Sequence, residues 1–264
     1  MIPFFRKIRK SLSDDNRPLK PAWPADRYMR YAIGEIILVV IGILIALQIN
    51  NWNEQRKEHI QEKIFLKRFE VELNTNVENI LTAISLNKSR IHRAEFLLRT
   101  IDKPQLAVDS SGYFMKSIEH AGYTNIPIIS DNAFEELKSS GNLSLISNEV
   151  LRAALQKYYS WTSSEGQYNF LQQDIQLNYS HLKQGIFTTS QVIDMGHYYT
   201  TKNYSAIEAK ETYERMLNKP KFLEFIPYVI QNKLGAETSY DDIYNQAKAL
   251  KILLKAELEK QNDD

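Results

Sequence analysis

An unbroken apolar run near the start of this chain limits its architecture more than any other part of the sequence. From residue 32 to residue 49 the chain reads AIGEIILVVIGILIALQI, with Glu35 as the one ionisable group. Eighteen such residues reach the length at which a membrane-spanning helix becomes the default interpretation. Glu35 lies near one end of the run, where an acid costs less than at the centre of a bilayer, so insertion is expected to win.

Aromatic residues flank the run on both sides. Tyr28 and Tyr31 precede it and Trp52 follows it. Tyr and Trp are enriched where the hydrocarbon core of a membrane meets the headgroups. We therefore predict a transmembrane helix over residues 28–52, with these three side chains as interfacial anchors and the lipid bilayer as a partner.

The charge distribution predicts the orientation of that helix. Residues 1–30 contain eight Lys or Arg against three Asp, a net charge of +5, whereas residues 50–264 are slightly acidic. Lys and Arg beside a span retain that side in the cytoplasm. The prediction is a single-pass protein of the bacterial inner membrane, with a cytoplasmic N-terminus and a periplasmic domain over residues 53–264. A cleaved signal peptide is the alternative, but it would need a short basic leader, and here thirty residues precede the span.

Residues 1–27 form the predicted cytoplasmic tail. Residues 3–12 mix basic and apolar side chains, which fits either a short amphipathic helix on an anionic leaflet or a disordered tail that only sets topology. Pro18, Pro21 and Pro24 follow at three-residue steps. This spacing favours an extended spacer over a PxxP ligand.

Beyond the membrane, the pattern is helical. Neither Gly nor Pro interrupts residues 43–103, and apolar residues recur there at three- and four-residue steps, with Asn87 as the one polar interruption. The membrane helix is therefore predicted to continue to about Thr100, with room for a bend at residues 50–51. Later helices are predicted over residues 110–121, 131–139, 148–183, 205–217 and 220–260.

Caps and breakers set several of these boundaries. Ser130 or Asp131 is expected to cap the helix that Gly141 ends, and Ser205 with Glu208 forms a capping box.

Between the helices that end near 183 and begin near 205, residues 185–203 are predicted to be a loop, with a short extended piece at residues 187–193. Gly166 weakens the helix over residues 148–183, and Pro227 and Gly235 are sites where the last helix can split.

These helices predict an all-α fold, in which a single N-terminal transmembrane helix continues into a periplasmic bundle of long antiparallel helices. The segment RYAIGEIILVVIGILIALQINNWNEQR, the head MIPFFRKIRKSL and the later run FEELKSSGNLSLI resemble a family of uncharacterised bacterial single-pass proteins. That family is described as a domain of unknown function and is found mainly in Gram-negative Bacteroidetes. The resemblance implies an inner-membrane anchor with a helical periplasmic domain, and it implies no known activity.

The residues that carry chemistry are sparse. The chain has no Cys, which excludes disulfides, thiolate metal sites and a cysteine nucleophile. It contains no P-loop, no dinucleotide-binding glycine motif, no HExxH and no GxSxG, and its balanced charge argues against nucleic-acid binding. No cofactor or metal is predicted, because the five His are scattered and the pairs His59–Glu62 and His92–Glu95 do not complete a di-metal set. We therefore expect no enzymatic activity.

Tyrosine and tryptophan are concentrated in the second half of the chain. They line either a small-molecule pocket between helices or the ordinary core and rim of the bundle, and core packing is the preferred interpretation. The residues concerned are Tyr158, Tyr159, Trp161, Tyr168, Tyr179, Tyr198, Tyr199, Tyr240 and Tyr244.

Two features of the membrane helix are candidate functional positions. Glu35 is an intramembrane ionisable residue, explained either by function or by snorkelling towards the headgroups beside a helix N-terminus. Gly34, Gly42 and Ala46 follow one another along a stripe of four-residue steps, and small residues at this spacing let two helices approach closely. We predict a homo-oligomer through this transmembrane stripe.

The sequence therefore predicts a membrane-anchored periplasmic helical protein that binds or scaffolds an unknown protein partner. The alternative is a ligand-sensing or regulatory subunit that signals to a membrane partner, and an enzyme of unknown type is third. A closed bundle would favour the scaffold, whereas an apolar cavity with convergent tyrosines would favour the sensor.

Overall fold

A computed structural model describes residues 24–163, 167–196 and 203–263. These residues form helices and connecting segments without any strand, which confirms the predicted all-α class. The chain divides into two units, residues 1–58 and residues 59–264, and each is described by itself. The predicted amphipathic stretch at residues 3–12, together with Pro18 and Pro21, lies outside the described residues.

The first unit consists, where it is described, of the N-terminal part of helix α1, Pro24–Asp102. This helix is long and apolar enough to cross a membrane, and none of its most apolar window is buried among the described residues. The helix continues without a break through residues 50–51. The Asn50 amide donates to the Glu54 carboxylate at 3.1 Å, one turn further along the helix.

The second unit contains the rest of α1 and eight further α-helices among the described residues. They are α2 (Gln105–Asp109), α3 (Ser111–His120), α4 (Asn132–Ser139), α5 (Glu149–Ser163), α6 (Gln167–Leu182), α7 (Thr189–Gly196), α8 (Ala206–Leu217) and α9 (Pro220–Asp263). One 3₁₀ turn, Leu143–Leu145, separates α4 from α5.

Helix α9 runs antiparallel to α1. The Lys63 ammonium donates to the Gln261 carbonyl at 3.1 Å, and the Asn87 amide donates to the Lys233 carbonyl at 2.8 Å, so later residues of α1 meet earlier residues of α9. Pro227 lies inside α9 without ending it. The helix stays intact because buried side chains pin it on both sides of the proline, and their burial outweighs a cost of about 3 kcal/mol for an internal proline.

Two hydrophobic cores lie along this helix pair. The first joins α1, α4, α5 and the C-terminal half of α9, and its largest side chains are Phe69, Tyr158 and Tyr159. The second joins the end of α1 to α3, α6, α8 and the start of α9, around Phe114 and other fully buried side chains. Apolar residues of α1 therefore pack first into one core and, further along the helix, into the other.

One predicted segment needs correction. Residues 189–196 form α7 rather than a loop with an extended piece, because Thr188 and Gln191 form a capping box at its start and Gln191 is buried against α8. The predicted helix over residues 110–121 is confirmed as α3, and the short helix α2 before it was not predicted. The predicted helix over residues 148–183 is described as α5 and α6, with residues 164–166 outside the description.

Most predicted helix boundaries are confirmed. The Ser205 hydroxyl and the Glu208 side chain form the capping box at the start of α8. Gly141 ends α4 with a φ of 72°, and the Asn142 N–H donates to the Leu137 carbonyl at 2.9 Å, as in a Schellman motif. The predicted cap of α4 by Ser130 or Asp131 is wrong, because neither side chain accepts a helix N–H there.

Candidate functional site

The predicted site residues of the membrane helix are exposed. Tyr28, Tyr31 and Trp52 have 78%, 60% and 63% of their surface accessible. A Cβ added to Gly42 would meet no atom within 4 Å. Glu35 is also exposed. These positions are free for contact with lipid or with another helix, and their predicted roles stay predictions.

Gly34 and Ala46 complete the predicted packing stripe. A Cβ added to Gly34 would likewise find open space, and Ala46 is exposed. Within the first unit, no described side chain covers the stripe.

In the second unit, a layer of polar side chains lies between the two hydrophobic cores. Along α1 the layer begins at Asn87, which is 3% exposed, and on α9 it contains Lys233, which is 1% exposed. The Asn87 amide donates to the Lys233 carbonyl, and the Lys233 ammonium donates to the Gln172 side-chain oxygen at 3.4 Å. Asn87, the single polar interruption in the sequence pattern of α1, thus belongs to a polar layer inside the bundle.

Burial makes Lys233 unusual. Burial, followed by the positive charge of Arg90, lowers the pKa of this ammonium to about 7. A charge inside an apolar environment is unfavourable, and a neighbouring cation adds repulsion. Lys233 is therefore poised to lose its proton near neutral pH, and a strongly shifted pKa is a recognised sign of a functional position.

The layer extends to a cluster of charged and aromatic side chains between α3 and α6. The Lys183 ammonium pairs with the Glu119 carboxylate at 2.8 Å and lies 4.8 Å from the centre of the Tyr123 ring. The Tyr123 hydroxyl donates to the same carboxylate. Glu119 therefore has two partners and is not a free catalytic base.

His120 adjoins this cluster. Burial is the main cause that lowers its pKa to about 4, and Arg90 is the next. Its Nδ1 atom is buried and has no hydrogen-bond partner among the described residues. The imidazole is thus neutral at physiological pH, and its ring meets that of Tyr123 edge to face with centroids 5.3 Å apart.

Side chains of α1 hold the segment that carries the FEELKSSGNLSLI run. The Asn76 side chain both donates to the Ser130 carbonyl at 2.9 Å and accepts from the Ser130 N–H at 2.7 Å. The Glu72 carboxylate accepts from the Ala133 N–H at 3.0 Å, and so supplies the cap of α4 that the sequence assigned to a local residue.

The same arrangement continues at the other end of that run. The buried Glu62 carboxylate accepts from both the N–H and the hydroxyl of Ser147, at 2.7 and 2.8 Å. The Asn148 side chain then accepts from the N–H groups of Val150 and Leu151 and caps α5. The FEELKSSGNLSLI run is therefore a structural element, docked on α1 through backbone groups of the residues on both sides of it.

The buried tyrosines of the set form packed contacts in the two cores, whereas Tyr244 lines a surface depression. Tyr158 and Tyr159 meet with ring centroids 4.9 Å apart, and Tyr159 stacks on Phe134 at the same distance. Tyr179 is fully buried and its hydroxyl donates to the Ile118 carbonyl at 2.7 Å. This packing corresponds to the preferred interpretation of these residues.

Other members of the tyrosine and tryptophan set lie elsewhere. Tyr240 is buried, whereas Trp161 is 43% exposed. Tyr198, Tyr199 and the Tyr168 side chain lie outside the described part of the chain.

Surface depressions occur where α1 and α9 meet, a feature that sequence reasoning missed. One has a volume of about 360 Å³ and the other about 330 Å³. Their lining is rich in lysine, with Lys63 and Lys67 in the first and three lysines of α9 in the second. From the sequence alone, such lysines are expected to form the ordinary solvent-exposed face of a helix.

Metal ligation has little support in the described part of the chain. No group of three or more His, Asp or Glu side chains converges there. The predicted His59–Glu62 pair does form, at 3.7 Å, but the Glu62 carboxylate is already occupied by Ser147.

Comparison with known proteins gives a family and no activity. Neither the curated proteins nor the solved structures contain a match to the chain. The model of a family of unknown function, DUF6090, matches residues 35–198, which is more than half of the chain and includes both the apolar run and the docked segment. The match begins in the apolar part of α1 and ends beyond α7, and on this evidence the chain belongs to the DUF6090 family.

Proposed function

We propose that this protein is a single-pass inner-membrane protein whose periplasmic helical domain binds or scaffolds a protein partner, without enzymatic activity. The closed packing of the domain carries the proposal. Both cores are filled by buried side chains, and the tyrosines that could have lined a pocket contact one another and neighbouring carbonyls. A protein with a closed interior acts through its surface.

The proposed orientation has a cytoplasmic N-terminus and a periplasmic second unit. It is supported by the basic residues that precede the apolar run and by the mixed charges that follow it.

The proposal includes self-association of the membrane helix. Its support is the exposed stripe that contains Gly34, Gly42 and Ala46, where small residues allow close contact between helix backbones. A second copy and the surrounding lipid are then the partners of the first unit.

Purification from native membranes tests the proposed function. The full chain, tagged at its C-terminus and solubilised in mild detergent, is expected to retain a distinct protein at a fixed ratio across independent preparations. An unrelated single-pass protein with the same tag is the control. If no protein is retained and a small molecule raises the melting temperature of the chain, the ligand-sensing function would replace the proposed scaffold function.

A further inference from the structure

The two depressions between α1 and α9 lie along the same pair of helices. The first is lined from α1 by residues 59–67 and from α9 by Gln261. The second is lined mainly by residues 244–255 of α9, with Glu70 and Val77 from α1. We name this surface the basic seam. It is defined by Ile60, Lys63, Ile64, Lys67, Glu70, Val77, Tyr244, Lys248, Lys251, Ile252 and Lys255.

Positive charge dominates the basic seam. Five of its residues are lysines, against one carboxylate, that of Glu70. Lys67, Lys248 and Lys251 form no ion pair with any described residue. Lys255 lies 3.7 Å from Glu259, an exposed pair that contributes little. The seam therefore presents cations that the protein itself does not neutralise.

Apolar side chains lie among these lysines. Ile60 and Ile64 are 51% and 52% exposed on α1, and Ile252 is 66% exposed on α9. Single exposed apolar residues are normal, but several of them beside a depression are typical of a surface that another protein covers. Lys248 and Lys251 lie four residues and one residue before Ile252 on the same helix.

The spacing of the lysines indicates the shape of the partner. Lys248, Lys251 and Lys255 are three and four residues apart, which places them on one face of α9. Acidic side chains at the same spacing on a second helix would meet them in register. On α1 the seam extends from residue 59 to residue 77, a length of about 27 Å at 1.5 Å per residue, which matches about five helical turns.

From this geometry we infer that the basic seam docks an amphipathic helix of another protein, with apolar residues facing Ile60, Ile64 and Ile252 and acidic residues facing the lysines. This is recognition of a helix in a groove, with charge setting the register and the choice of partner. The inference rests on the proposed scaffold function and names the chemistry of its partner. A lipid surface would also attract lysines, but it offers no acidic groups at helical spacing.

Photocrosslinking in the full chain, in its native membrane, tests the inference. A photoreactive amino acid replaces Ile252 in the seam or, as a control, Ile207, which is 71% exposed on α8. The expected result is a protein adduct from position 252 and not from position 207. Sequencing of the crosslinked peptide should show a helix-compatible segment with acidic residues at three- and four-residue steps.

Charge reversal supplies the decisive comparison. Lys67→Glu, Lys248→Glu and Lys251→Glu together should reduce the adduct at least fivefold. The matched control Lys157→Glu, Lys210→Glu and Lys221→Glu changes the same number of exposed lysines outside the seam and should leave the adduct within twofold. A synthetic copy of the captured peptide with its acids changed to lysine should then bind the seam variant better than the parent.

Several results would overturn the inference. These are an adduct with lipid, an adduct with a second copy of this chain, no adduct at position 252, or equal loss in the seam and control variants. If the tagged chain still retains a protein partner while position 252 fails, the docking site is wrong and the scaffold function survives. Circular dichroism of each variant confirms that it is folded.

Discussion

Single buried side chains determine much of the stability of this domain, and Lys233 is the clearest case. Burial lowers its pKa from 10.5 to about 7, so between these values the folded chain binds fewer protons than the unfolded chain. The free energy of unfolding attributable to this group therefore rises with pH across that window, and below about pH 7 the cost of burying the charge is complete.

Replacement of Lys233 by Met should stabilise the domain at pH 7 by about 1 to 4 kcal/mol, because an apolar side chain of similar length removes the buried charge. The advantage should shrink as the pH rises from 7 to 10, where the parent lysine becomes neutral. Urea unfolding at pH 7, 8.5 and 10 measures both effects. Lys157→Met, at an exposed position, is the control and should show no such pH dependence. If the stability difference between Lys233→Met and the parent did not change with pH, the lowered pKa of Lys233 would be contradicted.

Gly122 lies at a position where the protein has no space for a larger side chain. A Cβ at this position would lie 2.1 Å from Cγ of Tyr179, whose ring is fully buried and whose hydroxyl is bound to the Ile118 carbonyl. Gly122→Ala should therefore lower the free energy of unfolding by about 1 to 3 kcal/mol through overpacking. Gly112→Ala is the matched control, because its Cβ meets nothing within 4 Å inside helix α3 and alanine favours helices. Equal melting temperatures for the two variants would show that Tyr179 can move aside.

The helices themselves were largely predictable, because their apolar spacing and several of their caps are local in sequence. Gly141 and the Ser205–Glu208 box set boundaries that the structure confirms. The cap of α4 was not predictable, since Glu72 lies 61 residues away from the N–H that it accepts. The hydrogen-bond partner of Asn87 was not predictable either, because Lys233 lies 146 residues further along the chain.

The candidate surfaces were less predictable than the helices. On the sequence alone, the lysines of α9 are interpreted as a solvent-exposed face. Their position beside Glu70 and Val77 of α1 depends on the antiparallel pairing of two helices that are distant in the chain. Helix α7 was missed although it has a local signal, the Thr188–Gln191 capping box at its start, because residues 185–203 lack a clear apolar period. The Gln191 amide also donates to the Thr212 hydroxyl of α8 at 3.3 Å, a tertiary contact that residues 189–196 do not reveal by themselves.

The docking of residues 128–148 on α1 can be tested by two asparagines of the same helix. Asn76 is fully buried and bonds both backbone groups of Ser130, whereas Asn79 is more exposed and donates only to the Ile128 carbonyl at 2.8 Å. Asn76→Ala should cost about 2 to 4 kcal/mol, because it leaves two backbone groups unpaired. Asn79→Ala should cost less than about 1 kcal/mol. Chemical unfolding of both variants, measured by circular dichroism, compares them, and similar losses would show that the Asn76 bonds are replaced by water.

The proposed pairing of the membrane helix depends on small side chains. Replacement of Gly42 and Ala46 by Leu maintains hydrophobicity, so insertion should persist while bulk separates the two backbones. The chain has no Cys, so a single Asn50→Cys reports association by disulfide crosslinking in membranes. The double Leu substitution should reduce that crosslink severalfold, and Glu35→Gln is the companion variant that tests the charge. An unchanged crosslink would assign any oligomer to the helices of the second unit.

At the scale of the whole molecule, the orientation in the membrane is expected to follow from the positions of Lys and Arg beside the apolar run. A reporter active only in the periplasm should be active when fused after Asp264 and inactive when fused before Met1. Neutralising the basic residues Arg17, Lys20, Arg27 and Arg30 with Gln should increase the inverted fraction, because Lys and Arg nearest the span contribute most to its retention. Neutralising Arg56 and Lys57, which follow the apolar run, should leave the inverted fraction unchanged. Activity of the reporter before Met1 in the parent chain would reverse the orientation and place the basic seam in the cytoplasm, where its partner would have to be sought.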